Sequence, residues 1–279
     1  MSERKSAEKA VKNAAENPVV EYLERVGYVA RGTLYVVTGL LALGVALGST
    51  GGKATDLTGS LVFLIGNPFG KLVLVVMIVG LVAYSIWGFV RAAFDPLNRG
   101  DDASGVIARL GFVSSALSYL AIVYFGVQLL GGAAQQTSNG GQQKAIASIL
   151  SHPFGGRITV ILGLVAIAVG FGQFLEAYKA TFQRDLKRAE MSDRVKTVAV
   201  SLGRYGMAAR GITFLGLGWF LIQAGIHHDP GEAQGFGGVF LFLLREPFGH
   251  LLLAVVALGF VALGLYSFAC ARWVRLMGD

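Results

Sequence analysis

Charge is scarce in this chain. Of its 279 residues only 15% are charged while 54% are hydrophobic, against about 25% charged in a soluble domain. A chain this poor in charge cannot bury its apolar surface against itself in water. Cysteine occurs once, at Cys270, which excludes an intrachain disulfide and a cysteine-based metal site. No Gly-x-Ser-x-Gly elbow, His-Glu-x-x-His pair or phosphate-binding loop occurs, so neither enzyme activity nor a cofactor is expected. No metal is expected either. Of the histidines, His152, His227, His228 and His250, two are adjacent in a Gly-rich loop, with no helical spacing to fix a coordination geometry. Residues 1–27 also lack the short apolar core of a cleavable signal peptide, so membrane insertion is expected to be directed by the first spanning helix.

What the chain does have is long apolar runs. Residues 28–47, 69–90, 110–130, 158–178, 207–226 and 249–270 each approach the ~20 helical residues that cross a hydrocarbon core. The formal charge of +7 follows this pattern. Only Lys53, Lys71, Lys144, Arg157 and Arg245 fall on one side of the six spans, and the remaining Lys and Arg lie on the other. By the positive-inside rule both termini are expected to be cytoplasmic. The basic residues are spread over four juxtamembrane segments without interleaved stacking aromatics, which argues against a nucleic-acid partner.

The runs are organised by repetition. Asn67-Pro68-Phe69-Gly70, His152-Pro153-Phe154-Gly155 and Glu246-Pro247-Phe248-Gly249 each introduce a span. Upstream stand Arg25/Gly27, Arg109/Gly111 and Arg204/Gly206, equally far from the Pro in the first and third copies and one residue farther in the second. Tyr35, Tyr119 and Phe214 follow at matching positions, a periodicity that marks a triplicated unit. We expect a polar, solvated tail at 1–20 and two-span units at 21–98, 99–190 and 191–279. Segments 57–65, 145–150 and 236–244 are too short to span and read as interfacial or partly re-entrant helices on the outer side. The Pro is expected to open the second helix of each unit, with Asn67 as a side-chain cap; His152 and Glu246 are poorer caps. An even number of spans per unit gives all three the same orientation. The expected fold is an all-α membrane protein, three parallel two-helix repeats in a six-helix, pseudo-threefold bundle packed through glycines such as Gly163, Gly170, Gly211 and Gly218.

The Arg-x-Gly-aromatic opening, Ala30-Arg31-Gly32 with Ala209-Arg210-Gly211, and the Pro-Phe-Gly turn together resemble a family of bacterial membrane proteins catalogued as domain of unknown function 1206. The resemblance covers nearly all the chain after residue 20. It implies three two-helix units in the bacterial plasma (inner) membrane, and brings no catalytic residue or cofactor with it. The middle copy departs from the pattern, with Ser115-Ala116 in place of Arg-Gly.

Three sets of polar residues are candidates for function. Glu176, the one acidic residue within an apolar run, either pairs with Arg31 or Arg210 or, like them, snorkels to the inner interface. Lys71, Arg157 and His250 follow the three turns, where the helix dipole disfavours a cation. They either converge as an anion-attracting outer vestibule or splay to lipid phosphates. Gln128 and Gln223 share one repeat position and either line a pathway or hydrogen-bond between helices. Two functions are consistent with these features. The first is a transporter- or channel-like bundle handling a small anion or lipid headgroup. The second is a non-transporting scaffold or accessory subunit that binds a membrane-protein partner or anionic lipid headgroups.

Overall fold

A computed structural model describes residues 18–48, 57–66, 68–95, 100, 103–132 and 138–274. Nine α-helices follow one another among the described residues in three long–short–long sets. They are α1 (Pro18–Ala46), α2 (Leu57–Ile65), α3 (Gly70–Phe94), α4 (Ala103–Leu130), α5 (Ser138–Leu150), α6 (Gly155–Lys179), α7 (Asp193–His227), α8 (Phe236–Arg245) and α9 (Gly249–Trp273). Six of these, the long ones, are long and apolar enough to cross a membrane. The protein is an all-α, multi-pass membrane protein, and its environment is lipid.

Two contacts mark the two ends of the bundle. The start of α1 meets the end of α3 through Glu24 and Arg91, and the end of α1 meets the start of α9 through Ala46 and His250. We call the first level the junction end and the second the hairpin end. Two short 3-10 turns (Thr181–Asp185 and Arg188–Glu190) cross the junction end. There Lys187 N–H donates to the Trp273 carbonyl at 2.7 Å, while Phe182, Leu186 and Met191 are buried.

The Pro-Phe-Gly turn works differently from the cap expected of it. The helices begin at Gly70, Gly155 and Gly249, two residues past the Pro, and among the described residues no side chain caps them. Instead the carbonyls of His152 and Glu246 accept from the N–H of Gly155 and Gly249 at 2.9 and 2.8 Å. A backbone acceptor leaves the side chain at that position unspecified, which accounts for His and Glu there. Asn67 lies outside the described residues. The Gly is fixed by contact. A Cβ on Gly70, Gly155 or Gly249 would lie 2.1 Å from the carbonyl oxygen of Leu64, Ile149 or Leu244, at the end of the preceding short helix. Phe69 and Phe248 take positive φ values of 64° and 60° to make the turn.

Boundaries moved in two places. The α5 helix reaches back to Ser138, through Gly and Gln residues whose polarity suggested a turn. The α7 helix has 35 residues and starts well before the apolar run at Met207. Ser192 accepts from the Val195 N–H at 3.4 Å, and Lys196 reaches Asp193 at 2.9 Å, so local capping and a one-turn ion pair nucleate it outside the apolar stretch.

Helix packing follows the order α4, α3, α1, α9, α7, α6, each packed on the next. Within the first and third units the two long helices pack together. The two of the middle unit, α4 and α6, share no comparable seam. The bundle is therefore an open arrangement in which α1 and α9 are the most buried spans and α4 and α6 the least. The closest seams are made of glycine. Across α6 and α7 a Cβ on Gly156, Gly163 or Gly170 would lie 2.7, 2.7 or 3.1 Å from the carbonyl of Gly225, Gly218 or Gly211. Gly32 and Gly264 face each other in the same way across α1 and α9.

Candidate functional site

Four charged side chains are buried among the described residues: Glu24, Arg31, Arg91 and Arg210. Glu24 and Arg91 form an ion pair with side chains 1% and 4% exposed. Arg91 Nη1 also donates to the Tyr28 hydroxyl at 3.3 Å, and its guanidinium lies 5.7 Å from the Phe112 ring. Arg91 is thus a paired core residue. It stands in the last turn of its helix, at the junction end. The same pair was hidden at its other partner, because Glu24 precedes the apolar run and reads as solvated.

Arg31 sits about two turns along α1 from Glu24, in a box of tyrosines. Its guanidinium lies 5.8, 5.6 and 5.6 Å from the ring centroids of Tyr28, Tyr35 and Tyr84, and Nη1 donates to the Tyr84 hydroxyl at 2.7 Å. Tyr28 and Tyr84, and Tyr84 and Tyr119, meet edge to face. The Tyr35 and Tyr119 hydroxyls are 2.7 Å apart, which ties α1 to α4. Arg210, at the position of Arg31 in the third unit, stacks 5.3 Å from the Phe214 ring as Arg31 does on Tyr35. Here the surroundings differ. By the repeat alignment Leu263 takes the place of Tyr84 and Met207 that of Tyr28, so Arg210 lacks the within-unit phenol to which Arg31 donates. The Nε of both arginines is buried without a hydrogen-bond partner. In an apolar interior an uncompensated charge costs several kcal/mol; aromatic faces return ~0.5–2 kcal/mol each, and Arg31 has three of them where Arg210 has one.

The pairing expected between Glu176 and Arg31 or Arg210 is not made. The Glu176 carboxylate accepts from Thr181 Oγ1 at 2.5 Å, where the chain turns out of α6. The alternative, that all three snorkel, fails for the arginines, which are each 7% exposed. Position explains the separation. Glu176 is aligned with Arg91, at the junction end, six residues along α6 from Gly170, which meets Gly211 beside Arg210.

Lys71, Arg157 and His250 are all exposed at the hairpin end and engage different groups. His250 Nδ1 lies 2.8 Å from the Ala46 carbonyl and donates to it, so this side chain caps the end of α1. Arg157 lies over its own turn's Phe154 ring at 5.7 Å. Lys71 has no partner among the described residues. Gln128 is exposed and donates to Tyr124 one turn back on its own helix at 2.9 Å, a bond within α4. Gln223 lines a half-open cleft of about 450 Å³ between α7 and α8, with Trp219, Phe220, Phe242 and Arg245. The two glutamines therefore do not form a common pathway lining. His227 pairs with Glu232 at 2.8 Å, and among the described residues no group of three or more metal-ligating side chains comes together.

Residues 26–95, 110–180 and 205–274 match the family described as Domain of Unknown Function (DUF1206). The chain belongs to this family. Each matched segment holds one pair of long helices with the short helix between them. The chain is also 31% identical over 250 residues to the uncharacterized protein YxxB of Bacillus subtilis (strain 168), covering 90% of each chain. No solved structure matches.

Proposed function

We propose that this DUF1206 protein is a transporter- or channel-like bundle that handles a small anion or an anionic lipid headgroup, without catalysing a reaction. One observation carries the reading: three guanidiniums and a single carboxylate are buried among the described residues, and the carboxylate is taken by Arg91. A membrane interior with this surplus of positive charge favours an anion. The repeat strengthens it, since the two uncompensated arginines are equivalent positions of two units. The test is anion flux in proteoliposomes, offering chloride, phosphate and small carboxylates to wild type, to Arg210→Gln and to protein-free vesicles. Flux above the protein-free rate in wild type, lowered in Arg210→Gln, is the expected result. Wild-type flux no greater than in protein-free vesicles for every anion refutes transport.

A second reading, the non-transporting scaffold, draws on a different observation. The middle of the bundle is filled by Leu34, Tyr35, Tyr119, Leu253 and Phe260, each at 0 or 1% exposure. On this reading the anion is a structural lipid, and a membrane-protein partner sits on the exposed faces of α4 and α6. Copurification of one stoichiometric partner, with no flux, is its signature.

A further inference from the structure

The short helix α8 does not lie flat at the hairpin end. Its Phe236 meets Phe214 edge to face at 5.4 Å, Val239 packs where a Cβ on Gly216 would stand, and Phe242 meets Phe220 at 5.8 Å. The helix therefore runs beside α7 in the same direction, from the level of Phe214 toward the end of the span, and the same offset brings Arg245 to the level of Gln223. The cleft of about 450 Å³ lies between these two helices, in the size range of small-ligand sites. Its lining is graded along that direction. Trp219, Phe220 and Phe242 stand deepest, and Trp219 and Phe242 are exposed toward the bilayer. Gln223 and Arg245 come next, neither with a hydrogen-bond or ionic partner among the described residues. Glu232 stands at the rim, 2.8 Å from His227, the last residue of α7. His227 is one turn beyond Gln223, roughly 6 Å.

We propose that this cleft seats one phospholipid with a phosphoethanolamine head: the phosphate on Arg245 and Gln223, the ammonium on Glu232, and an acyl chain against Trp219 and Phe242. The occupant is a lipid because the cleft opens between membrane-level helices, beside aromatic side chains that already face the bilayer. The order of the lining, aromatic then cation then acid, is the order of chain, phosphate and amine in such a lipid. A guanidinium without a partner near the end of a span takes a phosphate through charge-assisted, bidentate bonds, and the Gln223 amide adds a neutral donor. One turn farther out, Glu232 keeps acceptor capacity beyond its contact with His227, and an ammonium fills it. That single turn is within reach of the two-carbon arm between phosphate and amine. A glycerol headgroup offers no cation to Glu232, and the methyl groups of choline offer it no N–H. The site uses none of the buried arginines, so it stands apart from the anion-handling reading.

The experiment measures retained lipid. The full-length protein is reconstituted with equal amounts of phosphatidylethanolamine, phosphatidylglycerol and phosphatidylcholine of the same acyl chains, released into detergent, and examined by native mass spectrometry. The variants are Arg245→Gln and Glu232→Gln, with Gln128→Ala on α4 as a control away from the cleft. Wild type is expected to retain one phosphatidylethanolamine about tenfold over the other two lipids. Arg245→Gln should lower that retention about tenfold, Glu232→Gln should hold phosphatidylethanolamine and phosphatidylglycerol alike, and Gln128→Ala should behave as wild type. If Glu232→Gln does not fold without its His227 contact, Arg245→Gln decides alone. Equal retention of the three lipids by wild type, or a preference for phosphatidylglycerol, overturns the site. So does Arg245→Gln that retains lipid as wild type does, or a loss as large in Gln128→Ala. Anion flux is no part of this readout, so the site and the transport reading stand or fall separately.

Discussion

Glu24 and Arg91 align with Gly203 and Cys270 in the third unit, and with Ala108 and Glu176 in the second. The ion pair therefore belongs to one unit, and the third unit replaces both charged groups by small ones. Its vacated space is used: the Phe182 ring packs 2.7 Å from where a Cβ on Gly203 would be. Breaking a buried pair from one side leaves a charge behind and costs about 3–5 kcal/mol. Glu24→Gln and Arg91→Gln are each expected to lower the unfolding midpoint of the detergent-solubilised protein markedly. The double Glu24→Gln/Arg91→Gln variant should recover most of that loss. A double variant whose loss equals the sum of the singles would show that the two groups do not act as a pair. The signal was in the alignment of units, where an acid and a base appear together only in the first, small residues stand at both positions in the third, and the second carries Ala108 with Glu176. It was missed because Glu24 stands outside the apolar run, and hydropathy alone cannot tell a solvated helix end from a covered one.

Glycines decide how closely elements approach. In lipid there is little hydrophobic drive between helices, so association depends on backbone proximity and van der Waals contact. Gly163 and Gly218 pack on each other's carbonyls, whereas Gly172, on the same α6 helix, has nothing within 4 Å of its Cβ position. Gly218→Val should destabilise the protein by about 1–3 kcal/mol through overpacking, and Gly172→Ala should leave the unfolding midpoint unchanged or slightly raised. Equal losses in both would place the α6–α7 seam elsewhere. The turns make a related case. Gly155→Ala puts a methyl group against the Ile149 carbonyl, so loss of folded protein on size-exclusion chromatography is expected, while His152→Ala keeps the backbone acceptor and should fold. The middle unit shows the same rule in reverse. Where the other units carry Gly32 and Gly211, α4 carries Ala116, which abuts Gly88 of α3. The α4 helix is held by that contact and by the Tyr35–Tyr119 hydroxyl pair, and not by α6.

For the whole molecule, the Lys and Arg asymmetry leads us to expect the junction end to face the cytoplasm. Single cysteines at Lys187 and His228, in a Cys270→Ser background, test this with an impermeant thiol reagent on intact cells. His228 should label from outside and Lys187 only after permeabilisation. Labelling of the Lys187 site in intact cells would reverse the orientation. The further sites Asp101 and Thr137, natural choices for the same experiment, lie outside the described residues.

Some of this was determined by the sequence alone. Six spans and three two-span units follow from apolar length and from periodicity, both local properties that survive without knowledge of contacts, and the resemblance to the family is carried by the Arg-x-Gly and Pro-Phe-Gly motifs. The sequence also singled out Arg31, Arg210 and Ser115 as one repeat position. Only the tertiary structure decided what these positions meet. Whether Arg31 snorkels or enters a box of tyrosines depends on Tyr84 and Tyr119, which come from other helices and, for Tyr119, from another unit. Whether α4 and α6 close on each other depends on the fit of whole helix faces, summed over many weak contacts that no single residue specifies. A charge inside the membrane is energetically defined by its neighbours, and those neighbours are assembled by packing.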